Sequence, residues 1–190
     1  MAVGKFRDSQ IGFTLIELMI TVVIVSVVLA IAVPSFYTTI KNNRLRTQAD
    51  RLVTTFNLAR SEAVKRSIDV VVCPSSDGAT CGGNYAQGWL VFADLDRDGA
   101  LDTGGTPDPL IRVNEGLAAG YTLTVTDGSS DYNSIITYYP DGSSNDPQAP
   151  ALYLCPADKD ASSAWMIQVN IVGRASASRG SNGGAYSCPS

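Results

Sequence analysis

The strongest constraint on this chain is a run of 21 largely apolar residues, Phe13 to Val33, interrupted by a single acid, Glu17. As a helix it would be about 31 Å long, against a bilayer hydrocarbon core of about 30 Å, so it predicts one membrane-crossing helix. Residues 1 to 12, MAVGKFRDSQIG, carry Lys5 and Arg7 and stop at Gly12. Positive charge ahead of the run places this leader in the cytoplasm and the rest of the chain outside. Lys41, Arg44 and Arg46 on the far side weigh against that orientation. A secretory signal peptide is the competing reading, because Ala30-Ile31-Ala32 fits its cleavage pattern. Its apolar stretch would be unusually long and would contain an acid, so the run is expected to stay with the mature chain.

Glu17 does not belong in a simple anchor. A carboxylate within a membrane helix costs about 2.5 to 3.5 kcal/mol on insertion scales, which implies a partner or a task. If the chain is cut before Phe13, the new α-amine is a cation at a similar depth on a neighbouring subunit. The string Gly12-Phe13-Thr14-Leu15-Ile16-Glu17, set between a basic leader and an apolar run, resembles the class III signal of type IV pilins and type II secretion pseudopilins. The resemblance implies cleavage by prepilin peptidase between Gly12 and Phe13, N-methylation of Phe13, and pairing of Glu17 with a neighbour's N-terminus during assembly. It also makes Pro34 the point where such a stem bends, and proline deletes one helical hydrogen bond and clashes with the preceding turn.

Beyond the apolar run, Leu45, Ala49, Leu52, Phe56, Ala59 and Ala63 recur at three- and four-residue steps with Val53 beside them, the pattern of an amphipathic helix continuing to about Ser67. Phe36, Ile40 and Leu58 fall off the stripe and are expected at contacts between subunits. Charge is segregated. Lys41 to Arg66 holds seven basic residues against Asp50 and Glu62, whereas from Asp69 onward five face fourteen acids. A basic amphipathic helix lying on an anionic membrane surface is the alternative, disfavoured by continuity with the anchor.

The remainder reads as strands at 69–73, 89–93, 110–113, 121–126, 134–139, 151–154 and 165–171, rich in valine, isoleucine, tyrosine and threonine and separated by glycine, proline, aspartate, asparagine and serine. The expected fold is α+β: one long N-terminal helix, membrane anchor plus amphipathic stem, packed on an antiparallel sheet with mostly hairpin connections. The expected organisation is a cleaved leader at 1–12, a transmembrane helix at 13–33, a stem at 34–67 and a periplasmic β-rich head at 68–190. Leu58-Ala59-Arg60-Ser61-Glu62-Ala63, Gly88-Trp89-Leu90-Val91-Phe92 and Ile171-Val172-Gly173-Arg174 are similar to motifs of the H-type pseudopilin and FimT/FimU minor-pilin branch.

Four cysteines allow three connectivities, and a chain segment outside the cytoplasm favours disulfides over reduced, metal-holding thiols. The pairing expected is Cys73 with Cys81 and Cys155 with Cys188, the wider bridge closing a loop worth about 4 kcal/mol in the chain-entropy model.

Asp94, Asp96, Asp98 and Asp102, with Gly99 among them, have the spacing of a calcium loop. Gly105 stands where a bidentate glutamate belongs, so an acidic hairpin turn is expected instead and no cofactor is required. Gly173-Arg174-Ala175-Ser176 resembles the GRxR tail of DNA-binding FimT-type pilins except that Ser176 replaces the second arginine, which Arg179 would compensate in part. A head with this acidic excess repels a polyanion. The chain has no histidine and no serine with an evident base, which argues against an enzyme.

The expectation is therefore a minor type IV pilin, FimU/FimT-like, acting in pilus assembly, initiation or the tip complex. The alternatives are an H-type pseudopilin of type II secretion and a DNA-binding minor pilin. Its partners would be prepilin peptidase, other minor pilins or pseudopilins, the inner-membrane assembly platform and membrane lipid. It would reside in the bacterial inner membrane with a periplasmic head until assembled into a pilus or pseudopilus.

Overall fold

A computed structural model describes residues 13–125, 135–145, 151–170, 172–179 and 188. The leader, with Gly12, lies outside the described residues. The chain divides into two compact units, one ending at Ile40 and the other beginning at Lys41. A single helix, α1 (Leu15–Arg66), contributes to both and contains Pro34. It is long and apolar enough to cross a membrane.

The first turn of α1 is capped by Thr14, whose hydroxyl accepts from the Glu17 amide at 3.3 Å. That is one half of a capping box, with threonine at the cap and glutamate three residues on. The helix ends at Arg66, and Ser67 takes a left-handed φ of 57° that turns the chain into the first strand. Around Pro34, Thr38 donates to the Ser35 carbonyl at 2.9 Å and Thr39 to the same carbonyl at 3.0 Å. Such back-bonding, together with the missing proline N–H, loosens the local helix ladder.

Among the described residues eight strands follow: β1 (Asp69–Pro74), β2 (Gly88–Asp94), β3 (Leu110–Glu115), β4 (Thr122–Val125), β5 (Ile136–Tyr138), β6 (Leu152–Cys155), β7 (Trp165–Val169) and β8 (Ala175–Arg179). They form two four-stranded antiparallel sheets, ordered β3-β2-β1-β5 and β4-β6-β7-β8, rather than the single sheet expected. Two pairings skip sequence neighbours, since β5 returns to β1 and β6 pairs with β4. Strand β8 was not expected at all. Its sequence, ASASR, lacks the alternating β-branched pattern of a strand and pairs because β7 offers a five-residue ladder, Val169 opposite Ala175 through Trp165 opposite Arg179.

The stripe read from residue spacing is the one the structure buries: Leu45, Ala49, Leu52, Phe56, Ala59 and Ala63 all have no exposed surface. They pack with Val70, Val72, Trp89 and Val91 of the first sheet and Leu154 and Ile167 of the second. Strands β1 and β2 are buried on both faces. Their other side, Val71, Cys73, Leu90 and Phe92, is covered by Cys81 and Leu101. Phe36 and Ile40 are exposed and Leu58 is half-buried.

Candidate functional site

Two groups of residues stand out, one at the start of α1 and one where the motif residues of the head converge.

At the start of α1, Phe13 is 85 % exposed and Glu17 is exposed in the first helical turn. Its backbone is spent on the Thr14 cap, while its carboxylate has no hydrogen bond or ion pair among the described residues. The helix macrodipole favours an acid in this turn. From Leu15 to Val33 almost every side chain is apolar and exposed. The geometry is that of an apolar rod bearing one unpaired negative charge near its tip.

In the head, the stem and tail motifs meet at Arg60. Arg60 donates from Nε to the Gly142 carbonyl at 2.9 Å and to the Val172 carbonyl at 3.2 Å. Gly142 follows β5 of the first sheet and Val172 lies between β7 and β8 of the second, so one guanidinium ties α1 to both sheets. Gly173 has φ of +73°, and a Cβ there would sit 2.2 Å from the Gly142 carbonyl oxygen; only glycine allows this approach. Gly88 has φ of +146° with two carbonyl oxygens 2.8 Å from where a Cβ would be, and it sets the entry to β2. Trp89 is buried, donates from Nε1 to the Thr55 hydroxyl at 3.1 Å, and lies under Arg51, whose guanidinium carbon is 5.3 Å from the ring centre. Thr55 in turn donates to the Arg51 carbonyl at 2.9 Å. Nothing in the helical spacing singled out Thr55, Arg60 or Arg51, because their partners come from strands and turns far along the chain.

A second clasp lies at the beginning of the larger unit. Lys41 bonds Asp158 at 2.6 Å and Asp160 at 2.9 Å. Burial opposes the ammonium, but the hydrogen bonds it donates to the two carboxylates, with their charge, outweigh it and hold the Lys41 pKa above its ordinary value. Asp160 also accepts from the hydroxyls of Ser162 and Ser163; these bonds and Lys41 hold its carboxyl well below the usual range.

The disulfides join Cys73 to Cys81 and Cys155 to Cys188, with Cα atoms 5.6 and 5.8 Å apart. In the acidic turn, the carboxylates of Asp94, Asp96 and Asp98 lie within 4.8 Å of one another, and Asp102 is not in that group. Burial pushes the Asp94 carboxyl up even though its oxygens accept from the Arg97 and Gly99 amides at 2.7 and 2.9 Å. Asp94 thus holds the turn closed with both oxygens. Asp108, buried beside it, does the same for Leu95 and Asp102.

Arg174 and Arg179 are both exposed but do not converge. Arg174 sits in the β7–β8 turn, where its amide donates to the Asn170 side chain, and Arg179 ends β8 with its guanidinium 3.5 Å from the Asn42 side-chain oxygen. About 16 Å of extended strand separates them.

Residues 48–173 match the family described as Type II transport protein GspH, and residues 7–33 match the Prokaryotic N-terminal methylation motif. The chain belongs to the GspH family, within the type IV pilin and pseudopilin superfamily. Comparison with curated proteins gives no match. Among solved structures, the type IV minor pilin FimU of Pseudomonas aeruginosa is similar at a TM-score of 0.52 and 20 % identity, over 72 % of this chain and 89 % of that one. A second crystal form of FimU gives a TM-score of 0.50 at 19 % identity, over 70 % and 92 %. The minor pseudopilin EpsH from the Type 2 Secretion System of Vibrio cholerae gives 0.47 at 13 %, over 72 % and 97 %. The fold is that of minor pilins and pseudopilins.

Proposed function

We propose that this protein is a minor type IV pilin of the FimU/FimT kind, which enters the pilus or its tip complex with other minor pilins and helps to initiate assembly. The observation that carries this reading is the unpaired Glu17 carboxylate on an exposed apolar helix inside an N-terminal methylation motif. In that reading prepilin peptidase cuts between Gly12 and Phe13, Phe13 is methylated, and the freed amine of a neighbouring subunit pairs with Glu17. The subunit waits in the inner membrane, head in the periplasm, for the assembly platform. The surfaces exposed by Phe36 and Ile40 then exchange lipid for other stems. A second reading, an H-type pseudopilin of type II secretion, is favoured by the family match itself. DNA uptake finds less support, because Arg174 and Arg179 are held apart on an acidic head.

The test is complementation of a deletion strain with Glu17→Ala and Glu17→Gln, counting surface pili and secreted substrate while confirming membrane insertion. Loss of pili with intact secretion supports the pilin reading, loss of secretion supports the pseudopilin one, and retention of both would refute assembly.

A further inference from the structure

The connection between β1 and β2, residues 75–87, is fastened to both faces of the first sheet. On the face away from α1, Cys73 packs with Val71, Leu90 and Phe92, and the half-buried Cys81 covers them through its bridge to Cys73. On the face toward α1, Tyr85 is fully buried, its ring centre 6.3 Å from that of Phe56 and 6.4 Å from that of Trp89. Its hydroxyl donates to the Val72 carbonyl at 3.0 Å. Val72 and Cys73 are neighbours in β1, so the connection grips one strand from opposite sides, with Gly82, Gly83 and Asn84 between the two holds.

The arm from Ser75 to Thr80 is shaped by Asp77, which accepts from the Ala79 and Thr80 amides at 2.8 and 2.9 Å; these bonds are internal to the arm and do not fasten it to the sheet. The bridge does fasten it, together with the Gly82 amide, which donates to the Pro74 carbonyl at 2.8 Å. Nearer Tyr85, the Asn84 amide donates to the Gln87 side chain at 3.1 Å and the Gln87 amide to the Asn84 side chain at 3.2 Å, both at the surface, where water competes for them. A covalent hold between residues eight apart removes conformations from the freed loop, and in the chain-entropy model it shifts loop opening by roughly ten- to a hundredfold.

We propose that the β1–β2 connection is a redox-gated strap: closing the Cys73–Cys81 bridge seats Tyr85 between α1 and the first sheet, and opening it unseats the tyrosine while the rest of the head stays folded. The chain is then a substrate for a disulfide carrier that oxidises thiols on the side of the membrane where the head lies. The thiolate of Cys81, the less buried of the two, attacks one sulfur of the carrier's disulfide and releases the other as a thiolate. The Cys73 thiolate next attacks the Cys81 sulfur, forms the bridge and releases the second carrier thiolate. Two electrons pass to the carrier, and the two thiol protons end on its thiolates. A subunit with an open bridge has an empty slot beside Phe56 and Trp89 and loses the cover over Leu90 and Phe92. Oxidation therefore completes the head before it meets other subunits, a timing that rests on the assembly reading above, whereas the strap itself does not.

The full chain in detergent micelles would be followed by hydrogen exchange and by tyrosine nitration, both read by mass spectrometry. In Cys73→Ser/Cys81→Ser, which keeps the Cys155–Cys188 bridge, amides of 75–87 are expected to exchange roughly ten- to a hundredfold faster and Tyr85 to become nitrated, while β7 keeps its protection. In Cys155→Ser/Cys188→Ser both readouts at 75–87 should match the parent. The parent reduced with dithiothreitol should exchange at 75–87 as the first variant does, and replacing the reductant with oxidised glutathione should restore protection. Protection of Tyr85 in Cys73→Ser/Cys81→Ser, equal release of Tyr85 in the other pair, or loss of protection at β7 together with 75–87 would overturn the proposal. None of these readouts involves filaments, so the strap stands or fails separately from the assembly test with Glu17→Ala.

Discussion

From Leu15 to Ile40 the apolar side chains of α1 face outward, Phe36 being 67 % and Ile40 50 % exposed, whereas from Lys41 to Arg66 the equivalent residues Leu45, Leu52 and Phe56 have no exposed surface. Both segments are helical and both are rich in large apolar side chains, yet only the second finds its apolar environment within its own chain. The first must take it from lipid or from other subunits. The difference teaches that hydrophobicity along this helix has two purposes, folding in one segment and placement in the other, and that a stability measurement on a single subunit reads only one of them.

The largest effect should separate them. Phe56→Ala is expected to cost about 3 to 5 kcal/mol, lowering the thermal midpoint in micelles by roughly 6 to 20 °C. Phe36→Ala should leave the midpoint in place and lower incorporation into filaments instead. Equal midpoint losses for both would break the distinction.

Next come the ties between α1 and the sheets. Arg60→Met removes hydrogen bonds from a charged donor to two carbonyls and should cost about 1.5 to 3 kcal/mol. Gly173→Ala should cost about 1 to 3 kcal/mol through its left-handed backbone and the clash with the Gly142 carbonyl. Because both act on that carbonyl, the double variant in chemical denaturation should fall short of the sum; strict additivity would show that the clasp is not one unit.

A smaller effect concerns the Lys41 clasp. Asp160 has a folded-state pKa below its ordinary value, so its contribution is present above about pH 3.8 and is lost as pH falls through the lower, folded pKa. Lys41→Met should therefore flatten the acid side of the stability profile and leave the variant less sensitive between pH 4 and lower values, where the parent loses most. An unchanged profile would remove the clasp from the account.

The smallest expected effect is that of calcium. Millimolar calcium should leave the thermal midpoint unchanged, since both Asp94 oxygens already bind backbone amides. A rise abolished by Asp96→Asn would instead make the turn a metal site.

Much of this architecture was legible. The three- and four-residue spacing from Leu45 to Ala63 translates directly into a buried helical face, because a helix has only one period. The valine-rich 69–73 and the GWLVF string read as strands for the same reason, and they are central ones. The capping pair Thr14 and Glu17 is a local pattern of the same kind, a threonine with a glutamate three residues on at the start of the helix. Other features left little local trace. Ala175–Arg179 has the composition of a loop and becomes a strand through β7, and the division into two sheets depends on β5 crossing back to β1.

The sequence by itself determined where the helix runs, which of its faces is apolar, where an acid interrupts the apolar run, and that an antiparallel β-rich head follows. These are properties of neighbours in the chain, set by backbone periodicity and side-chain transfer energies. Only the tertiary structure decided that Arg60 would reach Gly142 and Val172, that Arg174 and Arg179 would point to different places, and that Arg112 and Asn114 of β3 would line one groove with Asp50 and Arg51 of α1. Those relations depend on which strands pair and in what register, and pairing energies are summed over a whole sheet rather than written at any one residue.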